Sequence, residues 1–394
     1  MTTSITITIC LLLLLAYIFD ITSAKTKIPS VILLLLVGWA VKQGTDALQL
    51  PVPDLTSILS VLGTVGLILI VLEGSLELEL NHSKLSLIGK TALISIILIL
   101  ILSFGLAFTF QYYDNTSIKI GLANAIPLAV ISSAIAIPSA QNLISKHKEF
   151  VTYESSLSDI FGVIFFNFIT LNDKIGGESI GNFILEIVAI LLLTFVMTLG
   201  LAFLLSKIKH TVKFIPIILS IVLIYSITKI YHLPGLIFIL LFGIFLGNLD
   251  ELKSIKFIQK LKPEILNKEV HKFKEVTAEI AFLIRALFFL LFGFLIETKE
   301  LLNNETIVWA AGITASIFGL RYVILKIFKI DIRPILFIAP RGLITILLFM
   351  SIPDNQAIEL VNNSLIIQVI ILCALVMMFG LMTNKKNEKA DLSA

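Results

Sequence analysis

The chain has 394 residues, 57% of them hydrophobic and only 14% charged, with a formal net charge of +3. Runs of about 20 apolar residues recur from end to end, which excludes a soluble domain and points to a polytopic α-helical membrane protein. The runs are continuous, unlike the short alternating segments of a β-barrel, and most of the positive charge lies in short loops, so it carries no signal for nucleic acid.

The N-terminus has no basic residue ahead of its apolar stretch and no convincing cleavage motif, so it reads as a first span and not as a removed signal peptide. Hydropathy gives thirteen spans, at roughly 4–22, 28–43, 56–76, 87–110, 118–142, 150–171, 180–206, 211–230, 234–249, 276–297, 306–326, 332–353 and 362–383. Connections are short except Asp250–Glu275, a Lys-rich amphipathic stretch that reads as a surface helix. Cys10 and Cys373 both sit inside apolar runs, which speaks against a disulfide or a metal site.

Basic residues test this topology. With the N-terminus outside, the cytoplasmic loops hold 22 lysines and arginines and the outer loops hold 5, namely Lys42, Lys119, Lys174, Lys229 and Lys299. That asymmetry is a strong positive-inside signal and places the C-terminus in the cytoplasm, as expected of a multi-pass protein of the cell (inner) membrane. The three remaining basic residues, Arg285, Arg321 and Arg341, all fall within spans, where a guanidinium needs a carboxylate, a carbonyl or a water-filled cavity.

Thirteen spans divide into two six-span repeats, about 4–171 and about 211–383, joined by a linker helix at about 180–206. The whole of 1–383 then forms one transporter domain with the second repeat inverted, followed by a short polar cytoplasmic tail, 384–394. The fifth and twelfth spans correspond, and both are interrupted: Pro127 and Pro138 in one, Pro334, Pro340 and Gly342 in the other. Paired broken spans mark a transporter's midplane site, because freed carbonyls and opposed half-helix ends can receive an ion.

The sixth span concentrates the chemistry. Phe150–Thr170 carries Glu154 and Asp159 with three serines between them. An ionised carboxylate near the bilayer centre costs at least about 2.5–3.5 kcal/mol on insertion scales, so partners or ligands must come from elsewhere. Ser155 lies four residues before Asp159, on the same helix face. One carboxylate that holds either a proton or a dehydrated cation is enough for coupled exchange. We therefore read this helix as a cation and proton site.

The sequence YESSLSDIFGVIFF in this span resembles the GES-x-L-ND-x-x-x-x-V-x-F helix of the monovalent cation/proton antiporter superfamily, nearest to its electroneutral sodium/proton exchanger (NhaP-like) branch. LEGSLELEL in the third span, RALFFLLFGFLIE in the tenth, the arginine of LRYVILK in the eleventh and APRGLITILLF in the twelfth are similar to further segments of that family, in the same order. The resemblance implies an all-α antiporter fold of about thirteen helices, a core domain (spans 4–6 and 11–13) moving against a dimerisation domain, and a homodimer. It implies that Asp159 binds the ion, that Ser155 adds an oxygen, and that Ser158 stands where the branch has Asn, leaving one titratable group and one proton per cation. Glu154 would pair with Arg321 as a structural tether. Glu73 matches a glutamate that joins the cation site in some relatives. Arg285, with Glu279, is expected at the domain interface, and Arg341 at the carbonyl ends of the break after Pro340.

The fifth span departs from the family pattern S-A-T-D-P, having Ala134-Ile135-Ala136-Ile137-Pro138 instead. The expected crossover is at Ala136, whose carbonyl would serve as an ion ligand, with Ser132, Ser133 and Ser139 filling in. The expected activity is exchange of a monovalent cation, Na⁺ or Li⁺ first and K⁺ as the alternative, for H⁺ by electroneutral alternating access, with no cofactor. A same-fold channel or symporter would need a wider polar path. A membrane-embedded enzyme would need a histidine or metal constellation, yet all five histidines lie in loops or at span ends.

Overall fold

A computed structural model describes residues 2–26, 28–49, 55–78, 84–172, 176–208, 210, 212–231, 233–250 and 263–383, and no strand occurs among them. Glu79, part of the amphipathic stretch (251–262) and the tail 384–394 lie outside the described residues. In lipid each backbone polar group must be bonded within the protein, so long apolar runs have the helix as their solution. Among the described residues nine helices are long and apolar enough to cross a membrane, with shorter apolar helices beside them.

The first half comprises α1 (Thr2–Thr26), α2 (Ser30–Ala47), α3 (Thr56–Glu77), α4 (Leu85–Asp114), the half-helices α5 (Ile118–Ala129) and α6 (Ser133–Ala140), and α7 (Ser145–Leu171). Asn115 ends α4 in the left-handed conformation (φ 51°), which asparagine tolerates, and the Ser117 side chain caps α5 by accepting from the Ile120 N–H. Next come α8 (Gly177–Lys207), α9 (Phe214–Ile230), α10 (Leu236–Gly247) and the 33-residue α11 (Pro263–Leu295). Residues 263–275 thus continue directly into the tenth span, with Leu266, Val270 and Phe273 buried, and do not form a separate surface helix. The chain ends with the short α12 (Thr298–Leu301), α13 (Asn304–Ile327), a 3-10 turn (Ile335–Phe337), the half-helix α14 (Leu343–Met350) and α15 (Asn363–Thr383).

Both broken spans are present, but the first break is not where proline placed it. The chain leaves helix at Val130–Ser132, while Pro127 sits in the last turn of α5 and Pro138 inside α6. Ala136 is therefore an interior residue of α6, its N–H bonded to the Ser132 carbonyl (3.0 Å), and not the crossover. The reason is tertiary: partners distant in sequence satisfy the backbone at 130–132, as described below. In the second broken span, Pro340, Arg341 and Gly342 occupy the non-helical stretch between the 3-10 turn and α14.

Packing sorts the helices into two groups. In one, α11 lies on α2 and α3, and α10 on α3 and α8. In the other, α4 packs on α5, α7 and α13, α6 on α7, and α13 on α15. The groups meet where α3 touches α6, α7 and α14, and where α10 touches α7.

Small residues set the closest crossing. A Cβ on Gly38 of α2 would lie 2.2 Å from the Leu290 carbonyl oxygen, and one on Gly293 of α11 2.4 Å from that of Leu35. Backbones this close admit only glycine, a recurrent device between membrane helices. Replacing Gly293 by Val should destabilise the fold by about 1–3 kcal/mol or more, as overpacking does. The thermal unfolding midpoint in detergent should fall by several degrees, and an unchanged midpoint would disprove this crossing.

Candidate functional site

The two unwound stretches cross and bond to each other. The Ser132 N–H donates to the Pro340 carbonyl (2.9 Å). The Ile131 N–H donates to Ser158 Oγ on α7 (3.0 Å). Close approach at the crossing is permitted by Gly342, where a Cβ would lie 2.5 Å from Ile135 Cδ1 and 3.1 Å from Ser132 Oγ. Ser158 is thereby committed to the backbone of the break.

Arg341 serves the carbonyl ends. Buried to 2% exposure, it donates through Nε to the Leu128 carbonyl (2.7 Å), through Nη2 to that of Ala129 (3.2 Å), and through Nη1 to that of Ala339 (2.9 Å). Leu128 and Ala129 form the C-terminal end of α5, which carries the negative end of its dipole. A guanidinium with several donors suits a site of converging carbonyls better than an ammonium.

Asp159 sits at the opposite pole. Its Oδ2 accepts from the Ser133 N–H (3.3 Å) and from the Ser133 hydroxyl. Ser133 is the first residue of α6, so the carboxylate lies against the positive end of that half-helix. Its other oxygen, Oδ1, is buried without a hydrogen-bond partner, as are Ser132 Oγ and Ser156 Oγ. Buried polar atoms without a protein partner are suited to a ligand or a proton. Ser155, the oxygen one turn away, donates to the Val151 carbonyl of its own helix (2.7 Å), which leaves its lone pairs available.

One turn towards the start of α7, Arg321 of α13 makes a two-pronged ion pair with Glu154, Nη1 to Oε1 at 2.6 Å and Nη2 to Oε2 at 2.7 Å. Arg321 also donates to the Ile335 carbonyl, from Nε (3.2 Å) and Nη2 (3.0 Å). It thus fastens α7, α13 and the 3-10 turn of the broken span. At the same end of the bundle, Lys146 (2.8 Å) and His147 (3.3 Å) bond Asp331. These contacts hold the Asp331 carboxyl below the usual carboxylate range, the Lys146 hydrogen bond most of all.

Glu73 is placed with the neighbouring helix pair. Its Oε2 lies 4.0 Å from Arg285 Nη1 of α11, and Glu77 lies 3.7 Å from Lys274. The adjacent Gly74 faces α7, where a Cβ would stand 3.2 Å from Ser156 Oγ. The structure therefore gathers Asp159, Ser158, Pro340 and Arg341 at one crossing. It sets Glu154 and Arg321 beside that crossing and pairs Glu73 with Arg285 next to it. Ala136 contributes its place in the α6 ladder only. Sequence reasoning gave Ser132 and Ser133 a secondary place, although paired serines before a helix, able to bond nearby backbone, were the available signal.

A family model described as sodium/hydrogen exchanger, transmembrane, matches residues 10–384. A search of curated protein sequences returns no match. Among solved structures, the fold is similar to that of the sodium proton antiporter MjNhaP1 from Methanocaldococcus jannaschii at pH 8, with a TM-score of 0.70, 18% identity, and 98% of this chain and 99% of that one covered. An electron-microscopy structure of the same protein aligns with a TM-score of 0.68 at 18% identity, covering 97% and 95%.

The buried ion pair gives a stability test. Arg321→Met strands Glu154 at 1% exposure and should cost about 3–5 kcal/mol. Adding Glu154→Gln should restore part of the loss, because the uncompensated charge is gone. Thermal midpoints of the two single variants and the double variant measure this, and strictly additive losses would show that the two groups are not coupled.

Proposed function

This chain belongs to the sodium/hydrogen exchanger family, and from that premise we propose that it exchanges Na⁺ or Li⁺ for H⁺, one for one and without net charge movement, by alternating access. As a member of that family it is a multi-pass membrane transporter and not an enzyme, and its substrates are a cation and protons. The proposed setting is the cell (inner) membrane, with the N-terminus outside, the C-terminus cytoplasmic, and two copies forming a homodimer. The division into repeats 4–171 and 211–383 around a linker helix 180–206 belongs to the same proposal.

The observation that carries this reading is the asymmetry of the Asp159 carboxylate. One oxygen is held by Ser133 and the other is buried and unpartnered. A proton on Oδ1 neutralises the group; a dehydrated cation at Oδ1 does the same. The two cannot share it, and that exclusion couples their movements.

The one-to-one stoichiometry is supported by what the other charges are doing. Glu154 is bound by Arg321, Arg341 by carbonyl oxygens, and Ser158 is neutral and engaged by the Ile131 N–H. Ser155 and Ser132 are the proposed additional oxygens for the cation, and Glu73 is proposed as a gate residue beside Arg285.

The test compares wild type with Asp159→Asn in liposomes containing a pH dye, with Na⁺, Li⁺ or K⁺ added in turn. Wild type should dissipate the pH gradient with Na⁺ or Li⁺ and should be indifferent to a voltage clamp. The variant should lose exchange altogether. Activity retained by Asp159→Asn removes Asp159 as the carrier, response to K⁺ alone reassigns the cargo, and sensitivity to the clamp overturns electroneutrality.

A further inference from the structure

Four serine and threonine side chains are buried in α7: Thr152, Ser155, Ser156 and Ser158. Three of them have protein partners. Thr152 donates to the Lys148 carbonyl (2.9 Å), Ser155 donates to that of Val151 (2.7 Å), and Ser158 accepts from the Ile131 N–H (3.0 Å). Bonding back to the preceding turn is the usual resort of such a residue inside a helix. Ser156 does not take it: at 5% exposure, its Oγ has no hydrogen-bond partner.

The neighbours of this hydroxyl fix where it points. A Cβ on Gly74 of α3 would stand 3.2 Å from Ser156 Oγ and 3.6 Å from Ile137 Cδ1 of α6. Ser156 Oγ therefore lies in the angle between α3, α6 and α7. Ile137 is one turn beyond Ser133 on α6, and Ser156 is one turn before Asp159 on α7. Since Ser133 bonds Asp159, Ser156 and the carboxylate share the side of α7 that faces α6. Residues three apart on a helix hold their Cβ atoms about 5–6 Å from each other, a span that one ion between two oxygen ligands bridges.

We propose that Ser156 is a direct ligand of the transported cation, its oxygen joining Asp159 Oδ1, and that it sets the affinity of the site for that ion. Ser156 so placed adds a ligand to the site of the antiport reading above, on which this role rests. A dehydrated cation needs several oxygens in place of its water, and Asp159 Oδ1, Ser132 Oγ and Ser156 Oγ are buried oxygens that no protein partner claims. A proton needs Oδ1 alone, so Ser156 acts on the cation half of the exchange. An unpartnered buried hydroxyl destabilises the empty protein, and ion binding relieves it.

The first test is thermal unfolding of Ser156→Ala in detergent at alkaline pH, where protons compete least. Na⁺ or Li⁺ should raise the wild-type midpoint by binding the folded state. In choline alone the variant should melt no lower than wild type, because an unpartnered buried group is gone. The Na⁺ or Li⁺ concentration that gives an equal rise should be about tenfold higher, as expected for one lost contact to a charged ligand. In liposomes the apparent KM for the same ions should rise by a similar factor, with the maximal rate affected far less. Ser156→Cys, which exchanges a hard oxygen for a softer sulfur, should bind Tl⁺ more tightly relative to Na⁺ than wild type does.

Wild-type exchange, with KM and ion-dependent midpoint unchanged in Ser156→Ala, overturns this inference and leaves the antiport reading intact. So does a midpoint lowered in choline together with a loss of maximal rate at constant KM, the mark of a packing residue. An unaltered Tl⁺ preference in Ser156→Cys counts against direct contact in the same way. If wild type neither exchanges any of these ions nor gains stability from them, the antiport reading itself fails, so the two failures are separable.

Discussion

Two stretches of unwound backbone cross at membrane depth, and each N–H and C=O they expose must find a partner, because lipid offers none. The architecture of the second helix group follows from meeting that demand. Ser132 is bonded to Pro340 across the crossing, Ile131 to Ser158, and the carbonyl ends at Leu128 and Ala129 to Arg341. Each bond joins elements far apart in the chain, so α7 and both half-helix pairs form one unit. Any one of them removed strands buried polar groups at about 1–3 kcal/mol each.

The same economy governs charge. Arg321 is matched by Glu154, Arg285 lies beside Glu73, and Arg341 is spread over three carbonyl oxygens. Each intramembrane guanidinium is thereby answered by a fixed partner of the protein. Asp159 differs, since among the described residues neutral donors from Ser133 and the positive end of α6 are its only partners. Static pairs carry the structural load, which in the proposed exchange would free Asp159 to change its charge state with its ligand. The aspartate that the family pattern would place in the fifth span, as counter-charge to the half-helix, is missing here; Asp159 itself stands at that helix end.

Much of this was legible in the sequence because the bilayer enforces simple rules. Continuous apolar runs mark helices, and the family resemblance pointed Glu154 to Arg321, with the need of each intramembrane charge for an opposite one in support. The break near Pro340 and Gly342 was readable because its causes are local. The break at Val130–Ser132 was not, because what holds it open lies 26 to 213 residues away in the chain. Proline was taken as its marker, and Ala136 was set at the crossover by matching the family pattern S-A-T-D-P. Pro127 and Pro138 are instead absorbed within half-helices whose lost bonds the surrounding core tolerates.

The seam between the two helix groups differs in kind from the interior of either. Ion pairs at Glu73–Arg285 and Glu77–Lys274 stay within the first group, and the Glu154–Arg321 ion pair and the Ser133–Asp159 hydrogen bond within the second. Across the seam, α3 presents Gly63 to Leu347, Gly66 to Leu343 and Gly74 to Ser156. Contacts of this sort are apolar or small and carry no fixed hydrogen-bond register. Under the proposed alternating access, sliding one group past the other would exchange one set of van der Waals contacts for another and keep the arginine–glutamate pairs intact. A strong ion pair across the seam would hold one arrangement against the other by several kcal/mol; under the proposed exchange, the balance would fall to the occupant of Asp159. An ion or proton at that carboxylate alters the charge carried by the second group, and with it the cost of moving that group past the apolar face of α3.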